Sequence, residues 1–92
     1  MNIRQLKIFV TVCQSGSMTA AAKNLYISQP SISNAIKEFE REYGIQLFDR
    51  TSKKLTLTES GKELYSYGTR ILSLIDDLTT SINNRKSNTT LR

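Results

Sequence analysis

The sequence predicts a mainly helical domain: three short helices, a β-hairpin and one long final helix. Three observations lead there. Apolar and small residues recur at helical spacing through residues 3–13, 21–25 and 32–39, with glycine or turn residues between them. The period then shortens at Leu55 and Leu57, which alternate with Thr56 and Thr58 as in a strand with one buried face. From Leu64 onward apolar residues return at alternating spacings of four and three, the pattern of a heptad seam.

Taken in order, Ile3, Leu6, Phe9, Val10 and Cys13 form the buried stripe of a first helix, which Gly16 ends. Cys13 lies on that stripe and is expected to be a buried structural thiol rather than a reactive one. Ser17 suits the cap of a second helix, its side-chain oxygen accepting an otherwise unpaired backbone N–H. Ala21, Ala22 and Leu25 face inward there, and their small size lets a neighbouring helix approach closely. Ile27 plugs the tight turn that follows. Ser28 caps a third helix, and Pro30 fits its first turn, where no intrahelical donor is lost. Ile32, Ala35, Ile36 and Phe39 make its buried stripe, and the helix ends near residues 43–44. The opposite face carries Pro30, Ser33, Asn34, Lys37 and Arg41, all short, polar or cationic. Major-groove entry requires such a face, because long side chains would hold the backbone off the bases.

Residues 45–50, a polar stretch 51–54 and residues 55–58 predict a short antiparallel hairpin with Lys53 and Lys54 at its tip. A hairpin after a helix-turn-helix is a wing, and cations at its tip would reach phosphate or a groove edge. A solvated hairpin whose charges only prevent edge aggregation is a competing reading of the tip. The last helix begins at Thr58 or Ser60: Ser60 with Glu63 fits a capping box, while Thr58 with Glu59 suits the positive helix end. Its seam is Leu64, Gly68, Ile71, Ile75, Leu78 and Ile82, with Tyr65, Leu72 and Ser73 beside it. A helix packing on its own domain gives much the same stripe, but this one is too long for such a domain to cover. The seam is therefore assigned to a second subunit. The expected divisions are 1–58, a winged helix-turn-helix DNA-binding domain; 59–85, a linker and dimerisation helix; and 86–92, a polar, disordered tail.

Composition sets the outer limits. The chain has 92 residues, enough for one small domain, with 13 Lys and Arg against 8 Asp and Glu for a net charge of +5. Its isoelectric point of about 9.6 is on the side expected of a nucleic-acid partner, although charge alone fits any basic domain. No stretch approaches the roughly 18 apolar residues of a membrane span, and the N-terminus lacks a signal peptide's apolar core. Cys13 is the single cysteine, so neither an intramolecular disulfide nor a metal cluster is expected, and a cytoplasmic location fits. The chain has no histidine, no paired carboxylates in a glycine-lined pocket and no phosphate loop, so the expectation is not an enzyme. A protein-interaction module on the same fold is the second reading, and the polar third-helix face argues against it.

Several runs resemble the LysR-type bacterial transcriptional regulators: residues 1–10, residues 16–22, Ser28-Gln29-Pro30-Ser31-Ile32-Ser33, Gly44 with Leu47-Phe48-Asp49-Arg50, and Leu57-Thr58-Glu59-Ser60-Gly61. The resemblance covers about the first sixty residues without a gap. It implies a winged helix-turn-helix that binds an inverted-repeat operator in duplex DNA sequence-specifically as a homodimer, paired through antiparallel linker helices, to regulate transcription. In that family the domain is joined to a larger effector domain. No such domain is expected within these residues, so the chain has the form of an excised fragment or a truncated natural form, without a cofactor or inducer site. No membrane or metal partner is implied.

Carried over by position, the resemblance assigns base contacts to Gln29, Pro30, Ser33, Asn34 and Lys37. Gln and Asn suit adenine's major-groove edge, and Pro suits a thymine methyl. Phosphate contacts are assigned to Ser17, Thr19, Ser28, Ser31, Arg50, Lys53 and Lys54. For Ser17 and Ser28 plain helix capping is at least an equal reading, and for Arg50 anchoring the fold competes evenly with phosphate. The dimer interface is assigned to Leu64, Gly68, Ile71, Ile75, Leu78 and Ile82. The chain departs from the family at Ser31, where a small apolar residue is usual. Asn34 occupies a position that varies within the family, so it is expected to contribute to this protein's own sequence preference.

Overall fold

Residues 1–90 are described in the computed structural model, with side chains as far as Lys86. They form helices α1 (Ile3–Ser15), α2 (Met18–Leu25), α3 (Gln29–Tyr43) and α4 (Glu59–Thr90). Local chemistry explains each boundary. At the start of α1 the Asn2 side chain accepts the Gln5 N–H at 2.8 Å, while the Gln5 side chain accepts the Asn2 N–H at 3.2 Å. Gly16 ends α1 in the left-handed region, φ 82°, where a side chain would be strained. The Ser17 Oγ accepts the Ala20 N–H at 3.0 Å and opens α2. Ser28 does the same for α3, Pro30 occupies its first turn, and Gly44 closes it at φ 64°.

α1 packs against α2, α3 and α4 and is the centre of the fold. The core comprises Leu6, Ile8, Phe9, Val10 and Val12 of α1, Ala21 and Ala22 of α2, Ile32, Ala35, Ile36 and Phe39 of α3, and Leu47 and Phe48 beyond it. The Phe9 and Phe48 rings meet at 5.6 Å between centroids, tilted by 47°. The buried face of α1 is wider than the single stripe the sequence suggests. Ile8 and Val12 are buried because α1 has neighbours on three sides, whereas Ile3, in its first turn, is exposed.

The expected β-hairpin is not shown as a pair of strands. Among the described residues there is no strand, only one antiparallel bridge between Phe48 and Leu57. The Asp49 N–H donates to the Thr56 carbonyl at 2.8 Å and the Thr58 N–H to the Leu47 carbonyl at 3.0 Å. Past the bridge, side chains take over the backbone donors. Asp49 Oδ1 accepts from the Thr51 N–H at 2.9 Å and from its hydroxyl at 2.6 Å, and Ser52 Oγ accepts the Lys54 N–H at 3.2 Å. Such local bonds compete with a strand ladder. Leu55 is exposed and only Leu57 is partly buried, so the Leu-Thr alternation does not define a packed face.

α4 begins at Glu59, with Thr58 as its cap: the Thr58 Oγ1 accepts the Gly61 N–H at 3.0 Å and donates to the Gln46 carbonyl. Of the two expected starts, the Thr58 one holds. Lacking glycine or proline after Gly68, the helix continues to Thr90. Its length of 32 residues corresponds to about 48 Å, more than the molecule's two shorter extents of 25 and 20 Å. Helical backbone thus runs into the expected tail at 86–92, of which residues 91 and 92, and the side chains beyond Lys86, lie outside the described residues. Among the described residues no helix is long and apolar enough to cross a membrane, and no group of His, Cys, Asp or Glu could hold a metal ion.

Gly61 marks the tightest packing between α4 and the bridged loop. A Cβ there would collide with the Leu47 carbonyl and stand 2.9 Å from Leu57 Cδ2. Gly61→Ala should therefore destabilise the fold by about 1–3 kcal/mol, read as a lowered urea midpoint. An unchanged midpoint would mean that the first turn of α4 stands further from the loop.

Candidate nucleic-acid interface

The two sides of α3 differ in chemistry. Ile32, Ala35, Ile36 and Phe39 bury one side. Gln29, Pro30, Asn34 and Lys37 are exposed on the other, with Ser33 partly exposed at its edge. The five residues assigned to base contact are therefore brought together on the solvent side of one helix. Ser33 and Asn34 are short, and Lys37 one turn further on is the single long cation of the five.

Hydroxyls surround the N-terminal ends of α2 and α3. Ser17 and Thr19 are exposed at the start of α2. The Ser28 Oγ accepts the Ser31 N–H at 3.2 Å, and the two hydroxyls are hydrogen-bonded to each other at 2.8 Å. Ser17 and Ser28 thus fill the capping role, with their hydroxyl groups still facing outward. Between the start of α2 and the bridged loop runs a cleft of about 640 Å³ whose walls include Ser17, Asp49, Arg50, Lys53 and Lys54. Both lysines are exposed there. Asp49 is engaged with Thr51, whose hydroxyl and then backbone N–H hold its carboxyl below the ordinary carboxylate range. Arg50 is engaged too, its Nη2 donating to Glu40 Oε1 at 2.7 Å.

Along α4 the expected seam divides into two edges. Gly68 is buried within its own chain, a Cβ there standing 3.0 Å from Leu6 Cδ1 and 3.1 Å from Val10 Cγ2, and Leu64 packs against the domain's core. Both are therefore engaged within their own chain, Gly68 against α1. Ile75 is partly buried. Ile71, Leu78 and Ile82 are exposed, together with Tyr67 and Leu74, which the heptad reading did not include. The signal was present: Tyr67, Ile71, Leu74, Leu78 and Ile82 themselves follow one another at spacings of three and four. The Arg70 guanidinium lies 4.7 Å above the Tyr67 ring and leaves the aliphatic part of the stripe open.

Two features had no signal in the sequence pattern. Tyr26 closes α2 in the left-handed conformation, φ 57°, with 95% of its surface exposed beside the start of α3. Glu40 joins α3 to the bridged loop through Arg50 and the Leu47 N–H. Cys13, by contrast, is partly buried on α1, and desolvation pushes its thiol up to about 11, against a weaker lowering by a backbone hydrogen bond. At neutral pH it is protonated and a poor nucleophile.

The family described as "Bacterial regulatory helix-turn-helix protein, lysR family" matches residues 3–62. The chain belongs to the LysR family. Similar proteins include a "Probable RuBisCO transcriptional regulator" of Guillardia theta, 41% identical over 83 residues that cover 90% of this chain and 27% of that protein. The "HTH-type transcriptional regulator CfxR" of Cupriavidus necator is 42% identical over 77 residues, 84% of this chain and 24% of the relative. This LysR-family chain thus spans about a quarter of the length of these relatives. Among solved structures, the BenM_DBD/benA site 1 DNA complex superimposes with a TM-score of 0.89 at 37% identity, covering 95% of this chain and 98% of that one. The CbnR_DBD–DNA complex does so with a TM-score of 0.76 at 34% identity, over the whole of both chains. The chain is a LysR-type helix-turn-helix DNA-binding domain, and the named relatives are transcriptional regulators, not enzymes.

The cap of α3 holds the N-terminal end of the polar face in place. Ser28→Ala should cost about 1 kcal/mol of stability, measured by thermal unfolding, while Ser28→Gly should cost only a few tenths. Equal losses for both would show that the hydroxyl is not what holds that turn.

Proposed function

We propose that this domain binds an inverted-repeat operator as a homodimer, placing α3 in the major groove, and thereby regulates transcription. The observation that carries this reading is the exposed face of Gln29, Pro30, Ser33, Asn34 and Lys37, set on a helix whose other side is fully engaged in the core. Gln29 and Asn34 offer paired donor and acceptor groups for adenine, and Pro30 offers an apolar surface for a thymine methyl. Ser17, Thr19, Ser28 and Ser31 lie where helix N-termini would meet phosphate. Lys53 and Lys54 act on the backbone as flexible point charges. Arg50, already paired with Glu40, serves as an anchor rather than a phosphate contact in this reading.

The partner subunit covers the outer edge of α4. Tyr67, Ile71, Leu74, Leu78 and Ile82 form a continuous apolar stripe along a helix longer than its own domain. Two such stripes pair across a two-fold axis in an isologous interface. An antiparallel arrangement holds the two α3 helices at a fixed separation, about one helical turn of DNA (~34–36 Å) or a multiple of it. The bound domain needs no cofactor, and any inducer would act on a further domain of a longer protein. This reading places the protein in the bacterial cytoplasm, beside the DNA.

Gln29→Ala and Asn34→Ala should fold normally and each lose about 1–3 kcal/mol of discrimination at one base position, read by sequencing duplexes selected from a random pool. Unchanged selected sequences for both variants would place the reading elsewhere. Each apolar side chain buried between subunits contributes roughly 1.5–3 kcal/mol, so a carboxylate at the centre of the stripe should separate the dimer. In sedimentation, Leu78→Asp should run as a monomer where the native chain runs as a dimer. A native chain that stays monomeric at high concentration would refute the dimer.

A further inference from the structure

Among the described residues, Glu40 is the carboxylate that ties the recognition helix to the loop carrying Lys53 and Lys54. It sits eleven residues after Gln29, three helical turns further along α3 and on nearly the same edge, about 16 Å away along the axis. Its Oε2 accepts the Leu47 N–H and its Oε1 the Arg50 Nη2, both at 2.7 Å. The Glu40 side chain is only 11% exposed and that of Arg50 47%, so water and salt screen the pair less than an open surface pair. Beyond Arg50 every residue from Thr51 to Thr56 is exposed. Arg50 is therefore the last residue before the lysines that is tied to a helix, the bonds of Thr51 and Ser52 being local to the loop.

The loop has little else to orient it. One Phe48–Leu57 bridge replaces a sheet, and an isolated pair of strands is marginal even when fully formed. Leu47 and Phe48 are buried and fix the loop's root. The direction in which it leaves that root depends on the chain at Asp49 and Arg50, where Glu40 takes hold. A carboxylate that grips two points three residues apart restrains direction as well as distance.

We propose that Glu40 is a positioning residue for DNA binding: by holding Leu47 and Arg50, it fixes Lys53 and Lys54 relative to the base-reading face of α3. The proposal rests on the reading of those lysines as phosphate contacts. It gives α3 two tasks, with base contacts at its first turns and, at its last, a strut that aligns the cations with the same duplex. Without the strut the lysines remain charged but must be ordered at the moment of binding, and that entropy reduces the affinity they supply.

The test compares the native 92-residue chain with Glu40→Gln, Glu40→Ala and the pair Glu40→Gln with Arg50→Gln. Glutamine keeps an acceptor for Leu47 but loses the charge facing Arg50, alanine removes both bonds, and the paired change removes both charges and, its side chain at position 50 being two bonds shorter, does not span the gap. Without DNA, Glu40→Ala should accelerate amide exchange of Leu47, Asp49 and Thr58 by about tenfold, the order of one charge-assisted hydrogen bond, while amides of α1 and α3 stay protected. With DNA, Lys53→Ala with Lys54→Ala should lower the log–log salt slope of the native chain by about 0.9 for each phosphate no longer neutralised. In the Glu40→Ala background the same lysine change should add little, and base preference should stay as in the native chain. Glu40→Gln should fall between, and the paired glutamines should do no better than Glu40→Gln alone.

Unaltered exchange at all three loop amides overturns the proposal. So does a lysine effect of the same size with and without Glu40, because independent sites add. If Glu40→Ala loosens the whole domain, Glu40→Gln carries the same comparison. A native salt slope that ignores the lysine change would instead refute the phosphate reading. It is recognised because Glu40→Ala would then speed loop exchange while leaving affinity untouched.

Discussion

Burial of α1 on three sides is the constraint on which the rest of the domain depends. Phe9 and Val12 are almost wholly enclosed, and α1 packs against each of the other helices. Removing a large side chain from such a site costs roughly 2–5 kcal/mol, a large share of the stability of a domain this small. The consequence is geometric as well as energetic. α3 and α4 both pack on α1, so the angle between these two helices is set through α1. Ala21 and Gly68 matter for the same reason: each allows a neighbour to come close where a larger residue would tilt it.

The polar chemistry is arranged around that apolar frame without competing with it. No polar or charged residue is fully buried among the described residues, and no enclosed side-chain nitrogen or oxygen lacks a hydrogen-bond partner. Ser17 and Ser28 satisfy helix ends at the surface, and the Glu40–Arg50 pair lies at the rim of the core rather than within it. Strong desolvation costs are thereby avoided, and the charges remain available to a polyanion. Discrimination and affinity then fall to different groups. In the proposed reading, amide side chains on a rigid helix read bases, whereas lysines on a loop supply an attraction that is indifferent to sequence and weakened by salt.

Features governed by near neighbours in the chain are legible in the sequence. Gly16, Ser17, Ser28, Pro30 and Gly44 mark their helix ends because capping and left-handed turns depend on one or two residues. The α3 stripe is equally plain because four apolar residues repeat with the helix period. The loop at 49–57 is not legible as strands because alternation reports a strand only where one face is packed, and Leu57 packs against the core while Leu55 stays exposed. The seam of α4 misleads in part because two apolar edges lie side by side on one helix. Period alone does not say which edge α1 takes. Glu40 is invisible as a strut because its partners lie seven and ten residues away, beyond a helix end, where no periodic rule connects them.

The division of α4 into two edges ties subunit pairing to recognition. One edge, around Gly68, is locked onto Leu6 and Val10 of α1, and the other, from Tyr67 to Ile82, is open. A helix is stiff over this length, so a partner gripping the open edge would hold α1, and through α1 the recognition helix, at a defined orientation. In the proposed dimer the spacing of the two reading heads follows from helix packing inside each subunit as much as from the contact between subunits. Gly68 is the point where those two packings meet. A larger residue there would push α4 away from α1 and swing the open edge, changing the angle between the subunits even if every residue of their interface were kept. Such a change would alter which half-site separations are bound without altering any base contact. In the proposed dimer, helix-to-helix distance inside the monomer would therefore help to set the operator geometry.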